Sequence, residues 1–328
     1  MLLLPEQLRN FSDPSVSDLL LKRARQLAEH SKPDSNAALL QASQGCEIGE
    51  VLAAWDAPAS SPLLVELFSH CEKAWELTRP RRGQERLQCG RWLARLAILL
   101  GQQDDQTLLK RYAHWFRNQT STAMYDHAQA LLQPFWRFPE QPDLAETARW
   151  VFEAKDSPWI PFIDAKQEEG SGHIQYLLGK SPLICVPAYR SYVLRELENL
   201  AVAGTTKVHS ESSVNYSIHH AWSTATSSSP GDPLRPPIGS ENSFRIADGF
   251  AFRLASLPSL PDVPKFKLYW PEKRRDATIA ELKEFLNRSG DKYTVKPYLG
   301  PASQLHDKPQ LVIPQSNEPS TPEEDTGK

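Results

Sequence analysis

Cysteine is scarce in this sequence of 328 residues, and the few cysteines lie far apart. Cys46, Cys71, Cys89 and Cys185 form no CxxC pair of the kind that holds zinc or exchanges disulfides. Free cysteine is among the most buried residue types, so we expect each of the four to fill a small apolar site. We accordingly expect neither a bound metal nor a cofactor.

An excess of charge of either sign is also missing. The formal net charge is -3, from 37 basic and 40 acidic side chains. A nearly balanced surface creates no long-range field that attracts polyanions or an anionic membrane. We therefore expect a protein partner rather than nucleic acid, and the composition leaves a small-molecule ligand open.

Long hydrophobic runs are absent as well. No stretch approaches the roughly 20 apolar residues that a helix needs to span a bilayer. The opening MLLLPEQLRNFSD has three leucines followed by polar residues, which is too short for the apolar core of a signal peptide and lacks its basic lead. We predict a cytoplasmic protein with no membrane partner, unless a targeting segment preceded this sequence.

The sequence lacks the motifs that announce a known chemistry. It contains no glycine-rich phosphate loop, HExxH helix, EF-hand loop or paired-carboxylate constellation. No serine lies in a GxSxG turn, so Ser61 and Ser181 are interpreted as helix caps rather than nucleophiles. Cys185 has apolar neighbours, which favour burial over thiolate chemistry. We expect a protein that is not an enzyme.

Apolar residues at helical spacing dominate residues 1–203. Polar residues followed by proline mark several helix starts, because proline at the first helical position loses no hydrogen bond. The last apolar stripe consists of Val186, Tyr189, Val193, Leu197 and Leu200. Seven to nine helices with short connections predict a mostly α fold, an antiparallel helical-hairpin array of solenoid-like form.

Individual residues predict where some of these helices begin and end. Gly101 has the position of a left-handed helix stop. Asp104 or Asp105 then caps the next helix. Asp143 and Glu146 have the spacing of a capping box.

The pattern changes after residue 203. Thr206, Val208, Val214, Tyr216 and Ile218 alternate with polar residues, which predicts a β-hairpin over 204–222. The rest of the chain is assigned by composition: an exposed loop over 223–243, two closing helices packed on the array over 244–300, and a disordered tail over 301–328.

Three segments resemble a known group of proteins. They are SPWIPFI near position 160, SPLICVPAYRSYVLREL after it, and FRIADGFAFRLASLPSLPDVPKFKLYWPEKRRDATIAELKEFL. Over roughly residues 134–290 the chain resembles bacterial helical-repeat proteins that are loosely similar to HEAT-repeat proteins. The most specific pieces are Arg245 with Asp248, the LYWPE segment, and Arg275-Asp276. The resemblance implies a mostly helical array and no particular reaction.

Four charged residues of the closing helices form the first candidate site. Arg245 and Asp248 lie three apart on one helical turn, and Arg275 with Asp276 opens the next helix. We predict a charge cluster between the two helices. A buried cluster of this kind specifies packing, and ligand binding is the alternative.

Histidines and tryptophans supply the other candidates for a binding surface. His219 and His220 are adjacent on a predicted strand, so their side chains point to opposite sides and do not share one metal ion. Five tryptophans fall on or near apolar stripes, where they are core by default. The four in predicted loops are Trp136, Trp159, Trp222 and Trp270.

These observations favour a non-enzymatic helical scaffold for protein–protein interaction. Extended helical arrays expose long surfaces whose binding residues vary over a constant core. The alternative is a HEAT-like enzyme or nucleic-acid-binding protein that uses the concave face of the array. A third possibility is one part of a larger assembly.

Overall fold

The structure, a computed structural model, describes residues 14–29, 36–55, 60–77, 84–118, 131–154, 182–210, 213–218, 221–225, 232–256, 263–289, 294–295 and 311–312. Helices account for most of these residues, and a small antiparallel sheet accompanies them. The expected mostly α fold is therefore confirmed. In these ranges, no helix combines the length and hydrophobicity needed to cross a membrane.

Ten α-helices occur within the described ranges. They are α1 (Pro14–Glu29), α2 (Asn36–Ala54), α3 (Ser60–Leu77), α4 (Gln84–Gly101), α5 (Thr107–Arg117), α6 (Gln133–Arg137), α7 (Pro142–Glu153), α8 (Pro187–Glu196), α9 (Ile246–Ala255) and α10 (Glu272–Ser289). A 3-10 helix covers Pro182–Cys185. The strands are β1 (Val202–Ser210), β2 (Ser213–Ile218), β3 (Ala221–Ala225), β4 (Glu241–Arg245), β5 (Thr294–Val295) and β6 (Leu311–Val312).

Neighbouring helices pack through their apolar stripes. Each of α1 to α4 contacts the next helix, α5 contacts α7, α7 contacts α8, and α8 contacts both α9 and α10. The apolar face of α5 is buried as the periodicity predicts. Its buried residues are Leu108, Leu109, Tyr112, Ala113, Trp115 and Phe116. One continuous cluster of buried side chains runs from Ala24 to Leu286, so the closing helices share the core of the preceding helices.

The turn after α4 differs from the expectation. Gly101 is the last residue of α4, and the positive φ of this turn, +60°, falls on Asp104. Position 101 nevertheless has little room for a side chain. A Cβ there would lie 2.8 Å from Leu109 Cδ1 and 2.9 Å from Phe138 Cζ, closer than real Cβ contacts.

Substituting Gly101 tests this close approach. Gly101→Ala is expected to lower the free energy of unfolding by about 1–3 kcal/mol, because two packed side chains must move. Gly249, on α9, is the matched control, since a Cβ there meets nothing within 4 Å. Gly249→Ala is expected to raise stability by about 0.5–1 kcal/mol. Urea unfolding measures both, and equal effects of the two substitutions would contradict the packing argument.

Two further helix starts refine the predicted caps. Asp105 Oδ1 accepts a hydrogen bond of 2.9 Å from the backbone N–H of Thr107, the first residue of α5. The hydrogen bonds from Thr107 lower the pKa of Asp105. The predicted capping box of Asp143 and Glu146 is wrong, because α7 begins at Pro142, two residues earlier than a cap at Asp143 requires. Gln141 is the cap, and its Oε1 accepts from Leu144 N at 2.7 Å.

The β element is larger than the predicted hairpin. Its strand order is β3-β2-β1-β4, with every pair antiparallel. The exposed loop predicted over 223–243 is wrong at both ends, where β3 and β4 extend into it. Sequence periodicity does not predict β4, because this strand lies at a sheet edge and its residues Glu241, Asn242 and Ser243 are all exposed. In the predicted tail, Leu311–Val312 pairs with Thr294–Val295, and the other tail residues lie outside the described ranges.

A second, smaller hydrophobic cluster joins the sheet to the segment before α10. Val208, Val214 and Tyr269 are buried together, and Trp270 packs against them. The burial of Val208, Val214 and Thr206 confirms the predicted inner face of the first two strands. The sheet therefore contacts the chain on both sides of α9, through β4 before it and through Tyr269 and Trp270 after it.

Candidate functional site

Asp248 lies at the centre of the predicted charge cluster. Its side chain is in the first turn of α9 and is fully buried. Oδ2 accepts hydrogen bonds from Arg245 N at 2.7 Å and from Arg245 Nε at 3.1 Å, and it also accepts from Arg275 Nη1. Oδ1 accepts from Arg245 Nη2 at 3.0 Å. A single carboxylate thus connects the start of α9 to α10.

Arg245 extends the cluster to the surface. Its guanidinium pairs with Asp276, and its Nη1 lies 3.4 Å from Glu272 Oε1. The side chains of Asp276 and Glu272 are 54% and 66% exposed, whereas that of Arg245 is 13% exposed. The hydrogen bonds to Asp248 raise the pKa of Arg245 further above its usual range. The structure therefore brings together Arg245, Asp248, Arg275 and Asp276, as predicted.

The cluster also covers one edge of the sheet. Asp248 accepts from the backbone N–H of Arg245, and Arg275 Nη2 donates to the carbonyl of Ser243 at 3.2 Å. Both backbone groups belong to β4, an end strand in the sheet order. Unpaired groups on an edge strand invite pairing with another chain, and side chains that bind them prevent it. The geometry supports a packing role for this cluster, and its ligand-binding role stays a prediction.

Asp232 forms a second polar centre, which the sequence interpretation missed. Its Oδ2 accepts from the hydroxyl of Tyr269 and from Trp270 Nε1, each at 2.9 Å. Its Oδ1 accepts from Leu234 N at 2.9 Å. Burial alone raises the pKa of Asp232, but the hydrogen bonds from Trp270, Leu234 and Tyr269 outweigh it and lower the pKa.

Trp270 is a predicted binding residue, and the structure gives it a partly internal role. Its indole is half-buried and packs against the cluster of Val208, Val214 and Tyr269. The guanidinium of Arg274 lies 5.3 Å from the ring centroid, within the range of a cation–π interaction. Trp270 thus links the loop at Asp232 to the first turn of α10.

The other predicted residues divide into three groups. Trp159, His219 and His220 lie outside the described residues. Trp222 is a β3 residue whose Cα pairs with Ser217, and its side chain is not described. The proposal of Trp136 as a surface residue is wrong, because it lies in α6 with 2% of its surface exposed.

The cysteine predictions agree with the structure. All four cysteines are buried, with Cys46 Sγ 3.7 Å from Cys71 Sγ. Burial raises the pKa of Cys185 to about 11, so this thiol is a poor nucleophile at neutral pH. Cys185 is the last residue of the 3-10 helix, and α8 begins two residues later, at Pro187. Among the described residues, no group of three or more His, Cys, Asp or Glu side chains could hold a metal ion.

The structure exposes two apolar residues near the charge cluster. The sequence predicted the first of them to be buried and did not single out the second. Leu200 was expected on the last buried stripe, but α8 ends at Glu196 and Leu200 is 66% exposed. Val202, the first residue of β1, is 60% exposed, and its Cα pairs with Arg245. An apolar stripe continues in sequence past the end of a helix, so periodicity alone does not identify such a residue.

Comparison of the chain with protein-family models, with curated proteins and with solved structures found no match. The candidate site is therefore described from its geometry alone. It consists of the charge cluster around the buried Asp248 and of two exposed aliphatic side chains near it, Leu200 and Val202.

Proposed function

We propose that this protein is a helical scaffold that binds a protein partner through the surface around Leu200 and Val202. Its helices would form an antiparallel hairpin array, related to the bacterial helical-repeat proteins that the closing segment resembles. The sequential packing of α1 to α5 supports such an array. Under this proposal, the array and the closing helices hold the binding surface in place.

One observation carries the proposal: two neighbouring aliphatic side chains are held in solvent by an ordered backbone. The backbone N–H of Ile246 donates to the carbonyl of Ala201 at 2.8 Å, and that of Ala247 donates to the carbonyl of Asn199 at 3.0 Å. Asn199 Oδ1 also accepts from Ala201 N at 3.2 Å. Because the loop is already ordered, binding through it costs little additional conformational entropy.

The charges around this apolar pair are of both signs. Lys283 Nζ pairs with Glu198 at 2.9 Å, and Arg245, whose Cα pairs with that of Val202, forms an ion pair with Asp276. Apolar residues within a polar rim are typical of protein–protein interfaces. A mixed rim does not provide the continuous positive surface that phosphate recognition requires. The surface therefore favours a protein partner over nucleic acid.

Substitution of the apolar pair tests the proposal. The partner is identified by crosslinking in cells of the source organism, purified, and titrated against the full-length chain by calorimetry. Leu200→Ser/Val202→Ser is expected to raise the dissociation constant at least tenfold, since two apolar contacts are lost. The wild-type complex is expected to form with a negative heat-capacity change.

A distant exposed leucine provides the matched control. Leu19, on α1, is 68% exposed, and Leu19→Ser is expected to leave binding unchanged. Equal binding by the double variant and the wild type would contradict the proposed surface. Nanomolar, salt-sensitive binding of a DNA duplex at physiological ionic strength would contradict the proposed function and favour the nucleic-acid-binding alternative.

A further inference from the structure

Residues 232–240, DPLRPPIGS, form an exposed segment that we call the proline loop. It carries three prolines among nine residues. Leu234 is 38% exposed and Ile238 is 61% exposed, and Pro233 and Pro237 are exposed beside them. The proline loop therefore exposes two pairs of apolar side chains, which we call the ridge, with Arg235 and Pro236 half-buried between the pairs.

Two turns and two successive prolines give the ridge a defined backbone. The first turn closes with Arg235 N donating to the carbonyl of Asp232 at 3.0 Å. The second closes with Ser240 N donating to the carbonyl of Pro237 at 3.1 Å. Gly239 follows Ile238 in that turn with a φ of +87°, a conformation typical of the third residue of a type II turn. Between the turns, each residue that precedes a proline is restricted to extended or polyproline conformations.

The ends of the proline loop are attached to the rest of the protein. Gly239 N donates to the carbonyl of Val208 at 2.7 Å, and Val208 N donates to the carbonyl of Ser240 at 3.1 Å, which continues the ladder between β1 and β4. At the other end, Asp232 accepts the hydrogen bonds from Tyr269 and Trp270 described above. The loop is thus ordered before any partner arrives.

The charged side chains of the proline loop face the protein. Asp232 is occupied by Tyr269 and Trp270, and the guanidinium of Arg235 donates to the carbonyl of Ser210. The exposed part is therefore neutral, and it consists of proline and aliphatic side chains. A neutral proline-containing ridge fits an apolar, aromatic-lined groove better than it fits a charged pocket.

We propose that the proline loop is a docking element for a partner protein domain with an aromatic-lined groove of the kind that binds proline-rich segments. Such grooves gain affinity from ligands whose backbone is ordered in advance, since little conformational entropy is lost on binding. The assignment rests on the proposed protein-binding function but concerns a different surface. Val202 and Val208 are six residues apart on β1, which separates the two surfaces by roughly 20 Å.

The test uses two small domains with such grooves as probes. An isotope-labelled WW domain and an isotope-labelled SH3 domain are each titrated with the full-length protein. NMR then follows the resonances of their groove aromatics. At least one domain is expected to bind with a dissociation constant below about 1 mM. Leu234→Ser/Ile238→Ser is expected to weaken that binding at least tenfold.

Control variants separate this proposal from the previous one. Leu200→Ser/Val202→Ser and Leu19→Ser are expected to bind the probe domains as the wild type does. Ile238→Ser alone, at a 61% exposed position, replaces the double variant if the latter has a lowered melting temperature. The absence of groove perturbations with both domains would overturn the docking assignment, as would undiminished binding by the loop variants. Neither result would affect the surface at Leu200.

Discussion

Replacement of Asp248 by alanine is expected to lower the free energy of unfolding by about 3–5 kcal/mol. The carboxylate is fully buried between two arginines, and Arg275 is only 7% exposed. Its removal would leave the buried guanidinium of Arg275 without its carboxylate partner, and Arg245 would keep only its exposed partners Asp276 and Glu272. Denaturant unfolding followed by circular dichroism measures the loss.

Asp276 is the matched control for this prediction. It also pairs with Arg245, but its side chain is 54% exposed. Asp276→Ala is therefore expected to cost less than about 1 kcal/mol, since exposed ion pairs contribute little. Losses of the same size at the two positions would contradict the assignment of Asp248 as the centre of the cluster.

Asp248→Ala is also expected to expose the edge of β4. Asp248→Ala removes the acceptor of the Arg245 N–H, so the strand presents an unpaired backbone group. Light scattering at a temperature where the variant remains folded is expected to show association that the Asp276→Ala variant does not show. A folded, monomeric Asp248→Ala variant would indicate that other contacts protect this edge.

The second large effect is expected at a buried ion pair between α2 and α4. Arg95 Nη2 lies 2.5 Å from Glu50 Oε1, and their side chains are 2% and 6% exposed. Glu50→Ala is expected to destabilise the protein by about 3–5 kcal/mol, because a buried guanidinium loses its counter-ion. Glu72→Ala provides a comparison on α3, since its partner Arg111 is 34% exposed and the loss is expected to be smaller.

A double variant distinguishes the effect of the unpaired charge from the effect of lost packing at the same two positions. Glu50→Leu/Arg95→Met replaces both charges by apolar groups of similar size, and its stability is expected to lie close to that of the wild type. Thermal and urea unfolding of the single and double variants measure the coupling between the two residues. If the double variant were as unstable as Glu50→Ala, the effect would come from packing rather than from an unpaired charge.

The sequence predicted the features that depend on neighbours along the chain. The buried face of α5, the burial of the four cysteines and the alternation through Thr206, Val208 and Val214 all agree with the structure. The association of Arg245, Asp248, Arg275 and Asp276 was also predicted, because residues at helix starts separated by one connection tend to meet. For α5 and for the first two strands, a periodicity of 3.6 or two residues places the relevant side chains on one face.

The errors share a physical cause, which is that exposure depends on contacts distant in sequence. Trp136 lies two residues after Pro134 and resembles a loop residue, yet the core surrounds it. Leu200 continues an apolar stripe, yet the helix has already ended. The polar strand β4 has no inward-facing pattern of its own and forms through its pairing with β1. Local periodicity contains no information about these partners.

The sequence by itself determined the helical class, the apolar faces of the helices and the composition of the charge cluster, because these follow from spacing and residue type. Only the tertiary structure decided which apolar residues remain outside. Leu200, Leu234 and Ile238 lie on loops and Val202 begins β1, and backbone hydrogen bonds to segments distant in sequence hold these parts of the chain. Those bonds determine the direction of each side chain, and the two proposed binding surfaces therefore emerge only once the chain has folded.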